Sequence, residues 1–344
     1  MPIQAFENES EFVRWLRRVA PAQRGRLKLG IGDDAALIAA GRGHELILAT
    51  DLSIEGIHFL PPIHPPRSVG HRALARSLSD IAAMGGTPRF ALISLALSRR
   101  TTRRWVEEFY AGLLDLAGRF GVALIGGDTA IVPGRTVIDV IVCGEAPVAG
   151  ALRRAGARPG DQILVSGRLG LSALGLRLLR RHRKSARDFR PASTRSAGIA
   201  DEATLAHLYP QPRCGLGSFL ARRRLASAMI DVSDGLSTDL AHLCAASGVG
   251  ACLWEEQIPG PSRSQGVISQ GDARNLALHG GEDYELLFTV PRRRAARLPH
   301  RHRGVPLTCI GEIQRSNDLV LVRRDGKTQE LCPAGWDYFR DSNR

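Results

Sequence analysis

Apolar residues along this 344-residue chain follow two spacings. Short apolar or β-branched runs, ELILAT (45–50), FALISLAL (90–97), VALIGG (122–127) and TVIDVIVCG (136–144), have strand length and strand composition. Between them, residues 67–84 place Val69, Ala73, Leu78 and Ile81 at helical spacing. Residues 103–120 do the same with Val106, Phe109, Tyr110, Leu113, Leu114 and Ala117, so each stretch predicts a helix with one buried face. Near 145–160 the texture changes to the Gly/Pro/Ala-rich EAPVAGALRRAGARPGD, which reads as a boundary between domains 1–148 and 149–344. A second strand and helix series follows: QILVSG (162–167), ASAMIDVSDG with a helix over 236–246, GGEDYELLFTV (280–290) and VPLTCIGEI (305–313). The basic, poorly periodic stretch 181–200 reads as an exposed loop. The expected fold class is α/β.

Length and a 44% hydrophobic content suit two globular domains. No apolar stretch approaches the ~20 residues of a membrane span. The start, MPIQAFENESEFVRWLRRV, lacks the apolar core of a secretion signal. A cytoplasmic protein without membrane contact is expected. The six cysteines, Cys143, Cys214, Cys244, Cys252, Cys309 and Cys332, have neither zinc spacing nor a C-x-x-C pair, and read as free thiols.

Formal charge is +13, and runs such as RRHRK (180–184) invite a nucleic-acid reading. Only Lys28, Lys184 and Lys327 are lysines among 47 basic residues, however, and aromatics amount to 5%. They are not interleaved with the basic runs as a base-stacking platform requires. The arginines therefore read as solvated faces, and no nucleic acid is expected as partner.

The acids are more informative. Gly30-x-Gly32-x-x-Ala35 fits a permissive dinucleotide fingerprint, but the adjacent Asp33 and Asp34 would repel a pyrophosphate unless a cation lay between them. The same habit, an apolar run, then glycine or serine, then an acid, recurs at Asp51, Asp80, Asp128, Asp231, Asp234, Glu282 and Asp283. Asp33 and Asp234 could equally be helix caps. If the acids converge, two carboxylates ~4 Å apart repel by roughly 4 kcal/mol at an effective dielectric near 20. Oxygen ligands without His or Cys favour Mg²⁺, which commonly bridges to phosphates. A P-loop, protein-kinase motifs and a nucleophilic triad are absent; DGKT (325–328) lacks the required upstream glycine.

The motifs GIGDDAAL, ATDLSIEGIHF, SLSDIAAMGG, LIGGDT, RRAGARPGD, IDVSDGLSTDL and GGEDYELLF, in this order over 28–338, resemble the thiamine-monophosphate kinases of the aminoimidazole-ribonucleotide-synthetase-like superfamily. The resemblance implies an α/β (α+β) fold of two domains with mixed sheets flanked by helices, and a homodimer joined through the N-terminal sheets. It implies ATP-dependent phosphorylation of thiamine monophosphate to thiamine diphosphate, with ATP and several Mg²⁺ ions in a cleft between the domains. Matching motif by motif, Asp34, Thr50, Asp51, Asp80, Asp128, Asp231 and Asp234 would be metal ligands. Gly127, Asp128, Arg154 and Ser233 would hold ATP, and His58, Glu282 and Trp336 would meet thiamine monophosphate. Asp51, Asp128 and Arg154 would carry the catalytic electrostatics. One departure is Ala49, where the family often has a hydroxyl residue, leaving a metal position to a backbone carbonyl or water. A purine-pathway synthetase of the same superfamily and a basic nucleic-acid-binding protein are the rival readings.

Overall fold

A computed structural model describes residues 27–29, 33, 36–39, 43–182, 198–261 and 268–337. The first sheet comprises β1 (Leu27–Leu29), β2 (Ala36–Ala39), β3 (His44–Ile54), β4 (Thr87–Ser98), β5 (Ala123–Val132) and β6 (Val137–Pro147), in the order β1-β2-β3-β6-β4-β5. Only the β4–β5 pair is parallel. Helices α1 (Pro66–Ala83) and α2 (Arg103–Phe120) agree with the predicted periodicities almost to the residue. Thr102 caps α2 through its side chain, and Gly121, at φ 65°, ends it in the left-handed conformation. Ile47, Ile93, Leu95, Ile138 and Val140 of the sheet pack with Leu74, Leu78, Phe109 and Leu113 of the helices in one core.

The second sheet contains β7 (Gln162–Ser166), β8 (Ala228–Val232), β9 (Gly250–Trp254), β10 (Glu285–Val290), β11 (Arg301–His302), β12 (Val305–Gln314), β13 (Leu319–Val322) and β14 (Thr328–Glu330). Its order is β14-β13-β9-β12-β7-β10-β8, with β11 paired to β12. Around it lie α3 (Leu171–His182), α4 (Ile199–Leu208), α5 (Cys214–Arg222), α6 (Leu236–Ser247) and α7 (Gln270–His279). Both sheets are thus mixed and flanked by helices.

Leu216 and Leu220 of α5, Met229 of β8 and Leu286 and Phe288 of β10 join the core of the first sheet. The two halves are therefore packed on each other across α1.

Three sequence expectations are corrected. Asp51 and Asp128 lie within β3 and β5, because the β-branched and apolar pattern continues past them to Ile54 and Val132. Asp80 sits on α1 and follows no strand. The loop read over 181–200 lies mostly outside the described residues, but α4 begins at Ile199.

Candidate functional site

Helix α1 organises the site because its polar side chains reach acids from three other segments. Fourteen of its eighteen residues are buried, Arg72 among them. Arg72 Nη2 donates to Glu282 Oε1 at 2.5 Å. One turn on, Arg76 Nη2 lies 3.4 Å from Asp51 Oδ1. Ser79 Oγ donates to Asp231 Oδ2 at 2.6 Å. With Ser53, His58, Phe59 and Val69, the two arginines line a small cavity.

Burial pushes the Asp51 carboxyl above its usual range; Arg76 opposes this and the nearby Asp139 adds to it. A half-buried carboxylate in that position is stabilised by added positive charge beyond the one arginine. His58 Nδ1 accepts the Ile54 N–H at 3.0 Å. Burial first, then the charges of Arg76 and Arg72, hold the His58 pKa down to about 3, so its ring is neutral and its other nitrogen carries the proton.

Glu282 and Tyr284 adopt φ +64° and +52°, left-handed backbone that is unfavourable for residues with side chains. The turn is held by Glu282 N–H to the Ser233 carbonyl (2.7 Å) and Tyr284 N–H to the Val232 carbonyl (2.9 Å). Ser233 and Glu282, far apart in the chain, are thereby adjacent. The segment before Trp336 docks on the same turn: Trp336 N–H donates to the Asp234 carbonyl at 3.0 Å. A Cβ on Gly335 would stand 2.1 Å from that oxygen, so this position requires glycine. Trp336 itself remains 42% exposed, an aromatic face at the rim.

Asp231 is buried on β8, and Asp234 follows it at the start of α6. Gly235 stands at the N-cap of α6 and no side chain caps the helix; Asp239, in its first turn, accepts at Oδ2 the N–H groups of Asp234 (3.1 Å) and Gly235 (3.0 Å). Burial pushes the Asp239 carboxyl well up, Asp234 and Asp231 add to this, and Arg154 opposes it. Arg154 also lies 3.9 Å from Asp33. The IDVSD acids, Arg154 and Asp33 thus share one electrostatic neighbourhood. Asp34 lies outside the described residues, and Asp80 is half-buried on α1.

Asp128 stands apart. The rung Asp51–Val140–Ile93–Gly127 crosses β3, β6, β4 and β5, and the next rung is Leu52–Asp139–Ser94–Asp128. Three strand spacings separate Asp51 from Gly127, about 14 Å at ~4.8 Å per strand. Asp51 and Asp128 also alternate in facing, so no single ion bridges them. Thr50 Oγ1 donates to Asp139 Oδ1 at 2.5 Å on the same face as Asp128. A Cβ on Gly127 would lie 1.9 Å from the Ile93 carbonyl oxygen, so glycine is required where β5 meets β4. Ala49 is buried and shares the facing of Asp51, two residues on.

Among the described residues, no three His, Cys, Asp or Glu side chains form a closed metal-ligand group. The donor chemistry nevertheless suits a hard cation. Every acid in the neighbourhood offers oxygen, their mutual repulsion is only partly offset by arginine, and water and phosphate oxygens commonly complete a Mg²⁺ shell. A surface groove of about 490 Å³ lined by Phe219, Arg223, Leu225, Arg297, Leu298 and Pro299 includes none of these residues.

Arg72, Arg76, Asp139, His207, Asp239 and Tyr284 were not identified from sequence. Arg72 and Arg76 carried a readable signal: two arginines four residues apart flanking the apolar Ala73, Leu74 and Ala75.

Residues 32–146 match the AIR synthase related protein N-terminal domain, and residues 158–324 its C-terminal domain. The thiamine-monophosphate kinase of Escherichia coli (strain K12) is 38% identical over 332 residues, 96% of this chain and 97% of that protein. That of Bacillus subtilis (strain 168) is 34% identical over 315 residues, 91% and 94%. The solved structure of AaThiL complexed with AMPPCP and TMP superposes with a TM-score of 0.79 at 29% identity, covering 96% of this chain and 97% of that one. On these matches the chain belongs to the thiamine-monophosphate kinase family.

Proposed function

We propose that this chain transfers the γ-phosphoryl group of ATP to thiamine monophosphate, giving thiamine diphosphate and ADP. The observation that carries this reading is likeness over nearly the whole length to curated kinases of that name and to a structure complexed with AMPPCP and TMP. The acceptor is itself a phosphate whose second pKa is near 6, so at neutral pH its oxygen is largely an anionic nucleophile. A general base is then unnecessary, and the chain must align two polyanions and offset their charge.

In this reading Gly127, Asp128, Arg154 and Ser233 hold the nucleotide. His58 donates from its neutral ring, Glu282 meets the acceptor and Trp336 packs on its rings. Arg154 neutralises phosphate charge. Asp51, Asp80, Asp231 and Asp234, with Thr50, Asp128 and Asp34, would hold Mg²⁺. Bound Mg²⁺ would supply charge neutralisation between the two phosphates. The separation of Asp51 from Asp128 favours more than one ion position.

A homodimer through the N-terminal sheet and a cytoplasmic location complete the proposal. Leu52, Phe90 and Leu92 share one face of that sheet and are 51%, 45% and 37% exposed. Among the described residues, no helix is long and apolar enough to cross a membrane.

The deciding assay combines ATP, Mg²⁺ and thiamine monophosphate, with free thiamine as control acceptor. ADP and thiamine diphosphate are expected in equal amounts from the monophosphate alone. ATP binding without transfer to either acceptor would overturn the substrate assignment.

A further inference from the structure

Behind Glu282 lies a buried polar relay drawn from four other segments of the chain. Arg72, whose Nη2 holds Glu282 Oε1 at 2.5 Å, also donates through Nη1 to the backbone carbonyl of His207 on α4. The His207 ring is 1% exposed. Its Nδ1 lies 3.0 Å from Ser172 Oγ on α3 and 3.7 Å from Glu282 Oε2. Its Nε2 lies 2.9 Å from Nε2 of His64, which is equally buried.

The Leu60 N–H donates to His64 Nδ1 at 3.0 Å, and the Leu60 carbonyl lies 3.3 Å from the same nitrogen. Arg72 Nη1 points at His207 Nδ1 from 3.4 Å, so that nitrogen accepts, on the ring edge turned toward Ser172 and Glu282. Burial, followed by the charge of Arg72, holds His64 down to about 3 and His207 well below its ordinary range. Both rings stay neutral at physiological pH, so the pair fixes geometry and moves no charge. Such fixing is needed because Glu282 occupies left-handed backbone at φ +64°. A strained turn keeps one orientation only when its surroundings overdetermine it.

We propose that His207, backed by His64, is a positioning residue for the acceptor: it seats the Arg72 guanidinium, which in turn holds the Glu282 carboxylate in the one orientation that meets thiamine monophosphate. This rests on the reading that Glu282 contacts the acceptor. A relay of this kind governs binding of the acceptor and leaves the nucleotide untouched.

The test is a KM and kcat comparison for both substrates, with thermal melts to verify folding. His207→Leu should raise the KM for thiamine monophosphate about tenfold, with kcat and the KM for ATP within about twofold. His207→Asn, which keeps an amide oxygen to accept from Arg72 near the Nδ1 position, should restore the acceptor KM to within about threefold of wild type. His207→Gln, which keeps only the contact toward His64, should behave like the leucine variant. An unchanged acceptor KM in a folded His207→Leu protein, or an equal rise for ATP, overturns the proposal. If that variant does not fold, the Asn and Gln pair decides, and equal acceptor KM values in the two count against it. Glu282→Gln separates the layers. If it raises the acceptor KM while the His207 variants do not, only the relay fails; if it leaves that KM unchanged, the reading of Glu282 itself is wrong.

Discussion

Arg72 and Arg76 stand one turn apart on α1, and each closes on an acid from a different part of the chain: Glu282 beyond β8 and Asp51 within β3. Residues four apart share a helix face. One rigid element therefore sets the spacing between the acid assigned to the acceptor and an acid assigned to the metal. Because α1 packs on both sheets, that spacing depends on how the two halves of the chain are joined. Among the described residues Arg72 is the one buried arginine, at 3% exposure.

Replacing Asp51 by Asn should separate function from folding. The half-buried carboxylate is held against a desolvation cost that Arg76 only partly offsets, so neutralising it should leave the melting temperature within a few degrees of wild type. Turnover should fall at least ~100-fold, the scale seen when one preorganised electrostatic group is lost. Asp128→Asn should act alike. Near-normal kcat in both variants would refute the metal assignment.

The legible part of the molecule was its periodic part. Helices over 66–83 and 103–120 follow from apolar spacing, and the strands from β-branched runs, because each buries one face against a single layer. The acid motifs were legible as chemistry, since glycine-flanked carboxylates are uneconomical as structure. Their geometry was not. Whether Asp51 and Asp128 share a site depends on strand order, and β6 and β4 intervene between β3 and β5 through pairings that no local pattern encodes. The meeting of His64 with His207, 143 residues apart, is likewise long-range. A histidine inside an apolar stretch looks alike whether it packs alone or against another ring.

Glu285 should be a structural acid with a large stability effect. It accepts from Arg213 Nε at 2.6 Å and again from Arg213 Nη2, and Ser166 Oγ donates to it at 2.5 Å. Removing one partner of such an enclosed pair strands the other charge. Glu285→Gln should cost about 3 kcal/mol in urea unfolding. Replacing Arg213 by Met and Glu285 by Leu together should recover much of that loss. A Gln variant as stable as wild type would show that Arg213 finds solvent at no cost.

The open face of the first sheet supplies a test of assembly. Leu52, Phe90 and Leu92 cluster there, while the opposite face is covered by α1 and α2. An exposed apolar sheet face of this kind marks an interaction surface. Leu52→Glu places a charge at its centre, and light scattering after size exclusion should register half the mass of the wild-type particle. A wild-type protein that is monomeric at micromolar concentration would remove the dimer from the proposal.

Each buried histidine should take stability away on mild acidification. Burial is the main cause holding His58 and His64 down to about 3 and His71 to about 4, against an ordinary value of 6.5. Above pH 6.5 neither the folded nor the unfolded state protonates them. Below it the unfolded chain takes up protons that the folded chain refuses, so stability is lost as pH drops from 6.5 toward 4. Each such histidine contributes about 1.4 kcal/mol per pH unit within that window. Asp283 acts in the opposite sense: burial pushes its carboxyl up to about 8, so below that value the folded state keeps a proton the unfolded state releases above 3.8. Asp51 and Asp239, also pushed up by burial, act with Asp283, and His207, held well below its ordinary range, acts with the other histidines, so the histidine contribution is read as a difference between variant and wild type. His71→Gln, which keeps a donor for the Pro210 carbonyl now 2.7 Å from His71 Nε2, should reduce the pH slope of urea-unfolding free energy by about 1.4 kcal/mol per unit between roughly pH 6 and 5. An unchanged slope would mean that His71 protonates in the folded state as readily as in the unfolded chain.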